Sequence, residues 1–138
     1  MIRATTNALP LETGGILLGY REDGDIVVTD VIVVPSPCAT PRRYTRDDIE
    51  ANIRLRTWFL QHPQDSLTGY VGEWHSHTGL GAVSRVDLSS ARAAAKRARG
   101  AIALVVCNPR PLNSLDAFVL RRGRLRRVSA KQARIEVR

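Results

Sequence analysis

Gly-Glu-Trp-His-Ser-His-Thr-Gly-Leu-Gly-Ala-Val-Ser-Arg-Val-Asp, residues 72–87, reads as a strand, a glycine-containing loop and the start of a helix. An extended strand sends alternate side chains to opposite faces, so His75 and His77 share one face and Trp74 packs on the other. Asp87, ten residues after His77, offers a carboxylate to close a third corner around one ion. Three nitrogen and oxygen ligands leave a fourth position for water, the layout of a catalytic rather than a structural zinc site. Each residue alone has a plainer reading. His-x-His on a strand is often solvent-facing, Asp87 is a first-turn acid favoured by the helix dipole, and Ser84 is an N-cap. Their joint occurrence carries the metal reading.

Upstream, Thr13 to Tyr20 reads as a buried strand, residues 21–25 as a hairpin turn around Gly24, and Ile26 to Val34 as a β-branched second strand. The three prolines of 35–44 make that stretch a loop, with Arg42, Arg43 and Tyr44 placed to border a cleft. The pattern Thr45-x-x-Asp48 predicts a capped helix, whose apolar stripe is Ile49, Ile53 and Leu60 with Trp58 or Phe59, ending at His62-Pro63. Thr68 to His77 is the histidine-bearing strand, 78–83 its exit loop, and Val86 to Arg99 an alanine-rich helix stopped by Gly100. Ala101 to Cys107 is a wholly apolar strand, 108–112 a proline-containing turn, and 115–121 with 124–129 a last hairpin around Gly123. Sheet and helices alternate without strict βαβ repetition, which predicts an α/β or α+β fold with a mixed sheet.

A chain of 138 residues suffices for one domain with a real core, here taken as 1–138. No apolar run approaches membrane-spanning length, and Met1 to Thr6 lacks the apolar stretch of a signal peptide. Cys38 and Cys107 are too few for a disulfide framework, so a reducing cytoplasm is expected. The net charge of +8 is concentrated at 121–138, where eight basic residues face Glu136 alone. A basic tail can bind phosphates, yet this one lacks interleaved aromatics or a groove-reading motif, and a solvated or partner-facing strand is the simpler reading. Cys107 reads as core, Cys38 as a loop residue, and His62 as a surface residue at a helix end. Glu73, on the face of His75 and His77, is either exposed or an imidazole-orienting partner.

A hydrolytic metal site needs a base to take a proton from water and hand it to a leaving amine. Glu12, directly before Thr-Gly-Gly-Ile-Leu-Leu-Gly, is the leading candidate, because its Gly-Gly strand can approach neighbouring backbone closely. Ser84 is placed to donate a hydrogen bond to an oxyanion.

Glu12 with its Gly-Gly-x-Leu-x-Gly strand, then His-x-His and Ser-x-x-Asp in that order, resembles the JAMM, or MPN-plus, metallopeptidase family and in particular its prokaryotic JAB branch. The resemblance spans roughly 8–110. It implies a cytidine-deaminase-like mixed sheet flanked by helices, a zinc ion on His75, His77 and Asp87, Glu12 as acid and base, and Ser84 as oxyanion stabiliser. It further implies cleavage of an isopeptide or peptide bond at the C-terminus of a ubiquitin-like protein or its conjugate, within a prokaryotic conjugation or defence module.

Three positions depart from the family pattern. Six residues rather than seven separate His77 from Ser84, Thr78 stands where proline usually follows the second histidine, and only eleven residues precede Glu12. The last departure predicts a missing first strand, a short first helix and a sheet edge that a dimer would cover. Two other classes of function stay open at this stage: a non-catalytic scaffold of the same fold, and a basic nucleic-acid-binding module using 121–138.

Overall fold

The computed structural model describes residues 1–79, 83–98, 100–109, 114–123 and 127–136. The centre of the 78–83 loop, the end of the 108–112 turn, Arg99, and Arg124, Arg126 and Arg138 of the basic segment lie outside the described residues. A short helix α1 (Ile2–Ala8) precedes β1 (Gly14–Glu22) and β2 (Asp25–Val33). Then come α2 (Asp48–Gln61), β3 (Gly69–Ser76), α3 (Arg85–Arg97), β4 (Ile102–Asn108), β5 (Ser114–Arg122) and β6 (Val128–Ala133). The six strands form one mixed sheet in the order β2-β1-β3-β4-β5-β6. Only β3 and β4 run parallel, joined by α3; every other pair is antiparallel. No strand precedes β1 among the described residues.

The pleat assigns the core. On β4, Ala103, Val105 and Cys107 join Leu17, Val71 and Trp74 on the face that also takes Met1 and Ala4. Ile102, Leu104 and Val106 point the other way, onto Ala91, Ala94 and Ala95 of α3. On the same side Ile16, Leu18, Ile32 and Val34 receive Ala51, Leu55 and Trp58 of α2. Helices α2 and α3 therefore share one face of the sheet and α1 covers the other. Their alanines let each helix axis lie close to the strands, so branched strand residues fill the gap. Among the described residues, no helix is long and apolar enough to cross a membrane.

Three local expectations are corrected. The N-cap of α2 is Asp47, whose carboxylate accepts the N–H groups of Ile49 and Glu50, and not Thr45. A carboxylate satisfies two orphan donors at once and suits the positive end of the helix. The helix also packs through Ala51, Leu55 and Trp58, leaving Ile49, Ile53 and Leu60 at 76%, 55% and 72% exposure. The final strand lies at 128–133 rather than 124–129.

Cys107 is buried, as read from the sequence, and Cys38 is exposed. Burial pushes the Cys107 thiol up to about 11, outweighing the opposing charge of the amino terminus and a hydrogen bond with Thr5. Titration of the folded protein with a thiol reagent should therefore modify Cys38 at once and Cys107 at least about a hundredfold more slowly. Equal rates would show that β4 opens freely.

Candidate metal centre

The site is assembled where β1, β3 and α3 meet. The antiparallel ladder pairs Gly14 with His75 and Gly15 with Trp74. It continues through Thr13, which accepts the Ser76 N–H at 2.7 Å and donates its own N–H to Ser76 Oγ at 2.9 Å. Extending that register sets Glu12 opposite His77 on one face. The His77 N–H bonds to the Cys107 carbonyl at 2.9 Å, anchoring the end of β3 to β4. Asp87 arrives from the first turn of α3. There Ser84 Oγ accepts the Asp87 N–H at 3.1 Å and the Asp87 carboxylate accepts the Ser84 N–H at 2.8 Å, a complete capping box.

The three proposed ligands converge. His75 Nε2 lies 3.3 Å from His77 Nε2, 3.2 Å from Asp87 Oδ1, and His77 Nε2 lies 3.2 Å from Asp87 Oδ2. A tetrahedral zinc with bonds of about 2.0–2.1 Å has ligand–ligand edges of about 3.3 Å, the separation of the two imidazole nitrogens, and one oxygen of the Asp87 carboxylate stands beside each of them. His75, His77 and Asp87 form a group that can hold a metal ion. The six-residue spacing before Ser84 thus still brings Asp87 to both imidazoles.

Glu12 and Ser84 line the same cleft, which measures about 1160 Å³. Glu12 is 8% exposed. Burial raises its proton affinity above that of an ordinary glutamate; His77 and His75 pull the other way, Asp87 adds to the rise, and the Tyr44 N–H bonded to the carboxylate lowers it. Burial acts on Asp87 in the same sense, but hydrogen bonds with His75, His77 and Ser84 win and hold it well below the usual carboxylate range. Two nearby carboxyls are thereby set apart: Asp87 is favoured as the anion, the form a metal ligand needs, and Glu12 is favoured to take up a proton.

The two glycines after Thr13 have steric reasons. A Cβ on Gly15 would run into the Ile32 carbonyl, and one on Gly14 would lie 2.5 Å from Tyr44 Cε1 and 2.6 Å from the Trp74 carbonyl oxygen. Gly14 thus makes room for the ring of Tyr44, whose hydroxyl is fastened to the Val34 carbonyl. Gly14→Ala should cost roughly 1–3 kcal/mol in a denaturant titration, by overpacking. Unchanged stability would show that the Tyr44 ring moves aside freely.

Glu73 is half-buried and, among the described residues, bonds to Arg46 and Tyr70 rather than to an imidazole. It accepts from Arg46 at 2.6 Å and from the Tyr70 hydroxyl at 3.0 Å, with Asp48 on the other side of Arg46 at 2.7 Å. Burial opposes the Arg46 charge, but Glu73 and Asp48 outweigh it and keep the guanidinium firmly protonated. Sequence reasoning missed Arg46; its one signal was Glu73 on the face of His75, with no indication of a cation 27 residues upstream. Trp74 is buried at 1% exposure, away from the histidines, as expected. His62 caps α2 and stacks on Trp58 at 4.2 Å. Arg42, Arg43 and Tyr44 do border the cleft.

A family model described as prokaryotic homologs of the JAB domain matches residues 1–120. The chain belongs to this family. The JAB assignment accounts for the order of elements and for the mixed sheet flanked by helices. A solution structure of a Desulfitobacterium hafniense protein shares the fold, with a TM-score of 0.63 and 18% identity over 95% of this chain and 82% of that one. None of the curated proteins matches this JAB domain.

Proposed function

We propose that this JAB domain is a zinc-dependent metallopeptidase that hydrolyses an isopeptide or peptide bond at the C-terminus of a ubiquitin-like protein or its conjugate. The observation that carries the reading is the closed triangle of His75, His77 and Asp87 beside a buried glutamate in an open cleft. His75, His77 and Asp87 hold the ion, which when bound supplies a Lewis acid that polarises a carbonyl and acidifies water. Glu12 takes the proton of the attacking water and delivers it to the departing amine, lysine Nζ for an isopeptide. Its raised proton affinity suits both halves of that transfer. The Ser84 hydroxyl accepts from the Asp87 N–H and keeps its own proton to donate to the developing oxyanion. The residues act as a single domain over 1–138, and the setting is a cytoplasmic prokaryotic conjugation or defence module.

Two measurements on one preparation test this: zinc per chain, and cleavage of a ubiquitin-like protein joined through its C-terminal glycine to a lysine. About one zinc per chain is expected, with cleavage that a chelator stops and added zinc restores. Zinc-loaded protein that cleaves no ubiquitin-like conjugate would leave a non-catalytic scaffold as the function.

A further inference from the structure

The turn at 40–44 forms one wall of the cleft, and it is pinned from several sides. Thr40 accepts the Glu12 N–H at 3.0 Å and pairs across the turn with Arg43, its N–H 2.9 Å from the Arg43 carbonyl. The Tyr44 hydroxyl bonds to the Val34 carbonyl at 2.8 Å. Thr78, which replaces the family's usual proline, donates its hydroxyl to the Pro41 carbonyl at 2.5 Å. The departure from the family pattern therefore has a structural consequence: it ties the exit of the histidine strand to this turn. A surface loop usually samples many conformations; this one is fixed relative to both Glu12 and His77.

Two guanidiniums ride on that fixed turn. Arg42 and Arg43 are exposed and line the cleft. Among the described residues neither has a carboxylate within 4.0 Å, whereas Arg46 is held between Asp48 and Glu73. Glu12 and Asp87, the other carboxylates lining the cleft, belong to the candidate metal centre. We propose that the pinned turn selects the substrate, Arg42 and Arg43 reading a carboxylate that the substrate carries close to its scissile bond. The inference rests on the peptidase reading of the same site. A guanidinium fork matches the two oxygens of a carboxylate, and a preorganised fork loses less freedom on binding. An aspartate or glutamate side chain and a free chain-terminal carboxylate present the same chemistry.

The test is binding, so it is independent of turnover. Zinc-loaded Glu12→Gln protein is titrated, by fluorescence anisotropy, into three labelled peptides that each carry a Gly-Gly–lysine isopeptide. One has neutral flanks and an amidated end, one has aspartates beside the glycines, and one has neutral flanks with a free terminal carboxylate. At least one anionic peptide is expected to bind about tenfold more tightly than the neutral one, an advantage that shrinks as salt is raised. Which of the two gains identifies the source of the carboxylate. Arg42→Ala with Arg43→Ala should erase the gain at unchanged melting temperature, since backbone and Thr78 bonds hold the turn. Arg42→Glu with Arg43→Glu should reverse it, and Arg92→Ala, exposed on α3 outside the cleft, should leave it intact. Equal affinity for all three peptides, binding of none, or a gain that survives the double variant would overturn the proposal. If the gain behaves as expected but wild-type protein cleaves nothing, the peptidase reading fails alone. If wild-type protein cleaves neutral and anionic substrates with equal kcat/KM, selection fails alone.

Discussion

Asp87→Ala is expected to abolish metal retention and turnover together, and to weaken the first turn of α3. Asp87 has two occupations in this fold. Its oxygens lie 3.2 Å from both imidazole Nε2 atoms, and its carboxylate also accepts the Ser84 N–H that opens the helix. Without it, two histidines remain, too few to hold zinc against a chelator, and zinc per chain should fall below about a tenth of an equivalent. Turnover should drop by about three orders of magnitude or more, since polarisation of the carbonyl depends on the ion. The lost cap should cost about 1 kcal/mol in metal-free protein. Zinc analysis and chemical denaturation of the same sample separate these effects. Full zinc in the variant would mean that other groups hold the ion.

Glu12→Gln should do the opposite to the metal and the same to the chemistry. Glu12 is outside the donor triangle, so zinc should remain at about one per chain, while turnover falls by about 10²–10⁴-fold for want of a proton carrier. Stability supplies a second readout. Burial raises the Glu12 proton affinity in the folded chain. A carboxylate raised in this way binds its proton more tightly folded than unfolded, so its contribution is present at low pH and is lost as pH rises through the folded value. At neutral pH the ionised Glu12 therefore costs the metal-free fold some stability, and the neutral amide should melt at a higher temperature after chelation. A variant that keeps most of its activity would remove Glu12 from the mechanism. A lower melting temperature would show that the carboxylate is held by the fold and not strained in it.

Much of the site was legible because its parts are local or obey fixed periods. His75 and His77 share a face by the two-residue repeat of a strand, and Ser84 and Asp87 meet within one helical turn. Glu12 was singled out from the Gly-Gly that follows it, and those glycines make room for the Tyr44 ring and the Ile32 carbonyl. The face of α2 was misread for an equally physical reason. Ile49, Ile53 and Leu60 form one helical stripe and Ala51, Leu55 and Trp58 another. Periodicity cannot rank them; contact with the sheet does, and the stripe containing alanine permits the closer approach to Ile16, Leu18, Ile32 and Val34. Arg46 was missed because its partner Glu73 belongs to a strand reached only through the tertiary fold.

The sequence by itself determined which residues are candidate metal ligands, the strand and helix that carry them, and the family to which the chain belongs, since these depend on short-range spacing and residue chemistry. Only the tertiary structure decided that six residues are enough to close the donor triangle, that Glu73 serves Arg46 and not an imidazole, and that Thr78 fastens the arginine-bearing turn to the cleft. Those contacts join segments far apart in the chain. Their geometry is fixed by strand order and helix docking, which no local pattern encodes.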